Sequence, residues 1–276
     1  MLNFSELGNF AKEYTKDAKY HDGRKLIFTT VSGSHSYGFP SEDSDIDLRA
    51  CYVENTINLF RLEKPKETIE RKDNVNLKSN DKGLEIDFVS FEVVKFLLLM
   101  LKGNGTVFEQ LYSPIIVVTS KYHDELKALG KLAITKKIYY HYSGFGNNKL
   151  NEARKENFSN VKVNLYLFRT LMTGINILET GEINQNLTEL NKKFKLPVIG
   201  TLIALKKKEE KRKINTCKIS VEVEKEAVKL QRILDEAYKS SNLKDDISEE
   251  YKEKFNEFLI KVRTENLKIS DYKGLL

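Results

Sequence analysis

Three aspartates and one glycine–serine pair are the residues of this chain whose types and spacing could do chemistry. Asp45 and Asp47 stand two apart, so an extended strand carries both carboxylates on one face. Like charges side by side repel, and a divalent cation between them relieves that cost. Magnesium suits such a pair, because it takes one or two protein carboxylates and fills its shell with water and phosphate oxygens. Asp87 lies on the polar side of the alternating segment Leu84-Glu85-Ile86-Asp87-Phe88-Val89 and could complete the set. Three carboxylates on neighbouring strands can hold two cations about 4 Å apart, which activate an attacking oxygen and stabilise a leaving one. Upstream, Gly33 lets the backbone approach a ligand closely, and Ser34 offers a hydroxyl and a backbone N–H. A helix beginning after that turn would aim unpaired N–H groups at a phosphate. Together these parts describe a site for a metal-bound triphosphate. Each is ordinary alone: Asp-x-Asp is commonly a solvated strand edge and Gly-Ser a common turn.

Such residues need elements to position them. Phe4, Leu7, Phe10, Ala11, Tyr14 and Ala18 recur at helical spacing, which predicts an amphipathic helix over residues 3–20. Lys25 to Val31 reads as a buried strand. A second strand, Ile46 to Val53, puts Ile46, Leu48, Ala50 and Tyr52 on one face and Asp47 and Arg49 on the other. An edge strand over 65–72, a strand over 84–89, helices over 90–102 and 105–112, and a strand over 115–118 follow. Beyond 120 the pattern is helical: 121–142, 149–158, 160–180, 221–240 and 247–264, with Pro197 and Gly200 punctuating the middle. Strands with helices, then helices alone, predict an α+β fold: a short mixed sheet flanked by helices, followed by an all-helical C-terminal region. The division is expected as 1–120 and 121–276.

The 276 residues are 40% hydrophobic, enough for a core and too many for a disordered chain. Two cysteines, Cys51 and Cys217, exclude a disulfide scaffold and a four-cysteine zinc site, and Cys51 reads as a small core residue. His21, His35, His123 and His141 are scattered, with no metal-ligand spacing; His35 reads as a partly exposed turn residue. Neither a Ser-His-Asp constellation nor a P-loop is present. The N-terminus lacks the basic start and apolar run of a signal peptide, and Phe96 to Leu101, the most apolar stretch, is too short to span a bilayer. A cytoplasmic protein with no membrane partner is expected. Net charge is +6, divided unevenly: 17 Lys/Arg against 20 Asp/Glu in residues 1–130, and 29 against 20 thereafter. One half suited to cations and one to an anion would explain this, as would a Lys/Glu-rich solvated surface. Lys206 to Lys213 carries six basic residues in eight and could be a phosphate-backbone contact or a wet helix face.

The ordered string Gly33-Ser34, Asp45-Ile46-Asp47, Asp87 resembles the signature of the polymerase-beta nucleotidyltransferase superfamily. Within it, Gly33-Ser34-x-x-Tyr37-Gly38 followed by Ser44-Asp45-x-Asp47-x-Arg49 resembles the RNA-repair-associated branch, RlaP. Asn104 to Pro114, Tyr142-Ser143-Gly144-Phe145, and Lys162 to Arg169 continuing to Gly181 are similar to later segments of that branch. The resemblance covers residues 25–181. Ala50, Phe145 and Asn104-Gly105 depart from the pattern, none of them at a metal ligand.

The resemblance implies that 1–120 is a nucleotidyltransferase catalytic domain and 121–276 a helical substrate-binding domain. It implies transfer of a nucleoside monophosphate from an NTP to an acceptor hydroxyl, with pyrophosphate leaving. Asp45, Asp47 and Asp87 would be the catalytic residues and would hold two Mg2+ ions, with Mn2+ as a substitute. Gly33 and Ser34 would hold the β- and γ-phosphates, and Tyr37, Arg49, Lys162 and Arg169 would complete the nucleotide site. RNA, a tRNA or damaged RNA end, is the expected acceptor, met by the basic second half. Transfer to a protein side chain or small molecule, and a non-catalytic nucleotide- or RNA-binding module, are the alternatives. Arg49 could instead form a structural ion pair, and Lys162 with Arg169 a solvent-facing pair. Glu109 reads as a buried bridge between regions. Tyr37, Tyr142 and Phe145 could stack a base or belong to the core.

Overall fold

The computed structural model describes residues 4–16, 23–41, 44–75, 84–208, 214, 217–265 and 267. The chain opens with α1 (Phe4–Thr15), β1 (Lys25–Val31), the short α2 (Gly33–Tyr37) and β2 (Ile46–Val53). A single 3-10 turn over Thr56–Phe60 leads to β3 (Thr68–Val75), then β4 (Leu84–Glu92), α3 (Val93–Leu101), α4 (Gly105–Leu111) and β5 (Ile116–Thr119). Seven helices follow: α5 (Lys121–Ala133), α6 (Ile138–Lys155), α7 (Val161–Thr180), α8 (Leu187–Phe194), α9 (Pro197–Lys208), α10 (Cys217–Ser240) and α11 (Glu249–Thr264). The fold is α+β, with a mixed five-stranded sheet followed by a helical region.

The sheet runs β3-β4-β2-β1-β5, and β2 with β4 is its parallel pair. In the β2–β4 register Asp47 stands beside Asp87, and in the antiparallel β3–β4 register Lys72 stands beside Asp87. Registered neighbours project to one face, so Lys72, Asp87 and Asp47 form a row across three strands. The opposite face is apolar. Leu7 and Ala11 of α1 pack there on Val31, Ile46, Leu48, Ala50, Ile86 and Phe88, all fully buried. This burial locks the register, because a one-residue slip would turn the aspartates into that core.

The far ends of β2 and β4 are also tied. The Glu54 N–H donates to Glu92 Oε1 at 3.2 Å, while Arg263 of α11 donates to the same oxygen at 2.6 Å and to the Glu54 carbonyl at 3.1 Å. A second, larger core runs without interruption from Phe28, Phe96 and Phe108 to Leu126, Tyr142, Phe168, Leu234 and Phe258. Among the described residues no helix is long and apolar enough to cross a membrane.

Several elements differ from the sequence reading. The strand at 84 runs on to Glu92, whose carboxylate accepts from the Val94 N–H at 2.8 Å and starts α3. The expected helix over 121–142 breaks at Ile134, and the Lys136 N–H goes to the Lys244 carbonyl at 2.8 Å instead. A single helix, α6, then spans the expected gap at 143–148. Gly146 there is a contact residue rather than a breaker: a Cβ would stand 2.7 Å from Leu171 Cδ2, so α6 and α7 approach closely. α8 and α9 were not expected. The Asn186 side chain accepts from the Glu189 N–H at 3.1 Å to start α8, and Pro197 occupies the first turn of α9, where a missing N–H costs nothing. His21, residues 17–20 of the expected first helix and residues 209–213 of the basic run lie outside the described residues.

Candidate active site

The site is built at the junction of β1, α2 and β2. β1 ends at Val31, and the Ser32 N–H donates to the Asp47 carbonyl at 2.8 Å. The chain then enters α2 through Gly33 at φ +64, a conformation that side-chain-bearing residues rarely adopt. The missing side chain is also a matter of space, because a Cβ on residue 33 would stand 1.8 Å from Asp47 Oδ2. Gly38, at φ +85, ends α2 against Asn186 of the α8 cap.

Asp47 and Asp87 share one partner. Arg49 Nη2 donates to Asp47 Oδ1 at 2.7 Å and to Asp87 Oδ2 at 3.2 Å, while Nη1 donates to the carbonyls of Leu48 and Asp87 at 3.0 and 2.7 Å. Burial pushes the Asp47 carboxyl above its usual range, Asp87 and Asp45 push the same way, and Arg49 and Lys162 pull it back. Asp45 is exposed at the entry to β2. Among the described residues no three Asp, Glu, His or Cys side chains converge as a ready metal cage. The donor set nonetheless fits a hard cation: two carboxylates lie within reach of one guanidinium, which holds a single oxygen of each.

Asp47 and Arg49 form one wall of a cleft of about 210 Å³, with Ser32, Gly33 and Tyr37 at its inner end. The facing wall comes from α4, α6 and α7. Two bonds dock α4 on the sheet: Ser113 Oγ donates to the Val31 carbonyl at 2.7 Å, and Thr30 Oγ1 to the Gln110 carbonyl at 2.9 Å. This brings Glu109 into the floor, where it is buried. Glu109 Oε1 accepts from Arg169 Nη1 at 2.6 Å and from the Tyr142 hydroxyl at 2.9 Å, and Tyr37 approaches Oε2 at 3.5 Å. The Arg169 guanidinium lies 4.2 Å from the centroid of the Tyr37 ring. Burial pulls the Arg169 pKa down, but Glu109, Tyr37 and Tyr142 outweigh it and hold the group firmly charged.

The family described as the RNA repair pathway DNA polymerase beta family, RlaP, matches residues 5–261 of this chain. The chain belongs to the RlaP family. The protein MJ0002 of Methanocaldococcus jannaschii is 31% identical over 252 residues, which cover 88% of this chain and 96% of that protein. YcgL of Bacillus subtilis is 27% identical over 152 residues, 54% of this chain and 55% of that protein. Both are described as uncharacterised. RlaP membership points to nucleotidyl transfer in RNA repair as the general activity, and the match takes in α8, α9 and α10, beyond the motifs that end at Gly181.

Of the residues singled out in the sequence, Gly33, Tyr37, Asp47, Arg49 and Arg169 meet in this one RlaP cleft. Ser34 is buried beside it in α2, Asp87 joins through Arg49, and Lys162 is exposed on α7, near enough to act on the Asp47 charge. Arg169 lines the cleft, but its Nη1 is committed to Glu109, which is the buried bridge expected of it. Lys206 is neither a phosphate contact nor part of a wet face: it is fully buried, with Nζ 3.3 Å from Ser41 Oγ. Cys51 is buried in the core. Thr106, His141 and Tyr166 line the cleft without having been expected there. Tyr166, one turn after Lys162, was within reach of helical spacing. Lys72 was not, because only the strand register brings it beside Asp87.

Proposed function

We propose that this protein is a divalent-metal-dependent nucleotidyltransferase that moves a nucleoside monophosphate from an NTP to a hydroxyl of RNA and releases pyrophosphate. The observation that carries the reading is the registered pair Asp47–Asp87, with the bare Cα of Gly33 packed against the Asp47 carboxylate. Asp45, Asp47 and Asp87 would hold Mg2+, or Mn2+ in its place; when bound, the ions activate the attacking oxygen and neutralise charge on the phosphates.

The chain's own residues have separate tasks. The backbone at Gly33 and Ser34, where the first N–H groups of α2 have no partner within the helix, binds the β- and γ-phosphates. Arg49 holds Asp47 and Asp87 in one geometry by gripping an oxygen of each. Asp87, between Asp47 and Lys72 in the row, accepts the proton of the acceptor hydroxyl, with Lys72 beside it for the acceptor's phosphodiester. Tyr37 and Arg169 form the floor, fixed through Glu109. Catalysis of this kind is mainly positioning and electrostatics.

The test incubates the protein with Mg2+ or Mn2+, each labelled NTP in turn and total RNA, beside an Asp45→Asn/Asp47→Asn control. Label entering RNA with the intact chain alone is the expected outcome. Label entering protein or a small molecule would move the acceptor elsewhere. NTP binding without transfer would favour the non-catalytic module, and no NTP binding would sink the reading.

A further inference from the structure

The helical wall of the cleft carries an aromatic pair that the transfer chemistry leaves unused. His141 and Phe145 stand one turn apart on α6, with rings 19° from parallel and centroids 5.8 Å apart. Tyr37 and Tyr142, also candidates for stacking, line the same cleft but are buried, at 8% and 1% exposed, with their hydroxyls turned to Glu109. Phe145 is 42% exposed, yet it lines the same cleft as Gly33 and Asp47. His141 is fixed from behind. A Cβ on Gly105 would meet its Cδ2 at 2.5 Å, and the Tyr142 ring meets it edge-on at 5.1 Å. Burial lowers the His141 pKa, against the pull of Glu109 and with Arg169 adding to the lowering, which favours the uncharged ring. These two stacked rings line the cleft, and the exposed Phe145 offers a π-face to a planar heterocycle.

We propose that His141 and Phe145 form the stacking surface for the base of the bound nucleotide. This inference rests on the transferase reading and adds the base site to it. The pair lines the cleft together with Gly33 and Asp47, whereas neither Asp87 nor Lys72, on the acceptor side of the row, belongs to that lining. The cleft of about 210 Å³ is also smaller than the ~300–1,000 Å³ usual for ligand sites. It encloses part of a nucleotide, and the base makes its contact at the rim. Because every base has a π-face, this surface discriminates weakly among the four NTPs.

The experiment titrates the full-length protein and its Phe145→Ala and Phe145→Tyr variants, in Mg2+, with ATP, inorganic triphosphate and a short single-stranded RNA. Phe145→Ala is expected to bind ATP roughly 5- to 100-fold more weakly, with triphosphate and RNA binding unchanged and Phe145→Tyr close to the parent. Unchanged ATP binding in Phe145→Ala would overturn the proposal. So would an equal loss for ATP and triphosphate, which would mean a disturbed phosphate site, or a loss for RNA alone, which would assign the pair to the acceptor. A parent protein that binds neither ATP nor triphosphate would bring down the transferase reading, a failure visible before any variant is compared.

Discussion

The carboxylate of Asp47 occupies the space that a side chain on Gly33 would fill, with Oδ2 only 1.8 Å from where a Cβ would stand. The glycine turn and the acidic strand are therefore fitted to each other at atomic range. Gly33→Ala should displace Asp47 and strain a backbone held at φ +64. A displacement of about 1 Å at a reacting centre can cost on the order of 100-fold in rate, while a left-handed residue costs about 1–2 kcal/mol. Label incorporation should fall by about that factor, with a thermal midpoint lowered by only a few degrees. Full activity in Gly33→Ala would separate the turn from the chemistry.

Arg49 already balances the charge of Asp47 and Asp87, so a divalent ion must compete with it for carboxylate oxygens. Arg49→Ala should therefore show a larger thermal stabilisation by Mn2+ than the parent, together with lower turnover. Asp47→Asn should lose both the metal-induced shift and turnover, and its metal-free midpoint should stay close to the parent's. Differential scanning calorimetry with and without metal reads all of these.

Glu109 and Arg169 are both buried, with side chains 5% and 6% exposed, and each is the other's ion-pair partner. Removing one partner leaves a buried charge, so Glu109→Gln or Arg169→Met should each cost about 3–5 kcal/mol. The double variant should cost less than the two single costs added together. Urea unfolding of the four proteins measures the coupling, and additive costs would contradict it.

His123 is fully buried against Phe28, with ring centroids 4.7 Å apart, Nδ1 3.1 Å from Thr119 Oγ1 and Nε2 3.3 Å from the Leu111 carbonyl oxygen. Burial holds its folded pKa below the ordinary 6.5, and Lys127 adds to this. The unfolded chain therefore takes the proton first. The stability contributed by the neutral ring is complete above about pH 6.5 and is lost as pH falls through that value toward the folded pKa. Urea midpoints between pH 7.5 and roughly 5 should fall less steeply in His123→Gln than in the parent.

Alternation made the acidic face of the sheet legible. Ile46, Leu48 and Ala50 are buried on α1 while Asp47 and Arg49 face the other way, and Asp87 sits on the corresponding side of β4. What alternation cannot convey is pairing: that Asp87 lies beside Asp47, and Lys72 beside Asp87, depends on contacts between strands distant in sequence. The helical wall was read less well for a related reason. The expected gap at 143–148 contains Gly144 and Gly146, but α6 runs through both, and the bare Cα of Gly146 is what lets Leu171 approach. Lys206 sits in a basic run that suggests solvent, yet it is buried against a loop 165 residues earlier in the chain. Local pattern carries no trace of such a partner.

The ionic floor of the cleft has a mechanical consequence. α4, docked on the sheet, supplies Glu109, and α7 supplies Arg169, so two walls of the cleft are riveted together at its base. Swinging them apart would leave each buried charge without its partner, at a cost of several kcal/mol. Opening and closing is thus left to side chains at the rim, and the backbone works as a fixed mould.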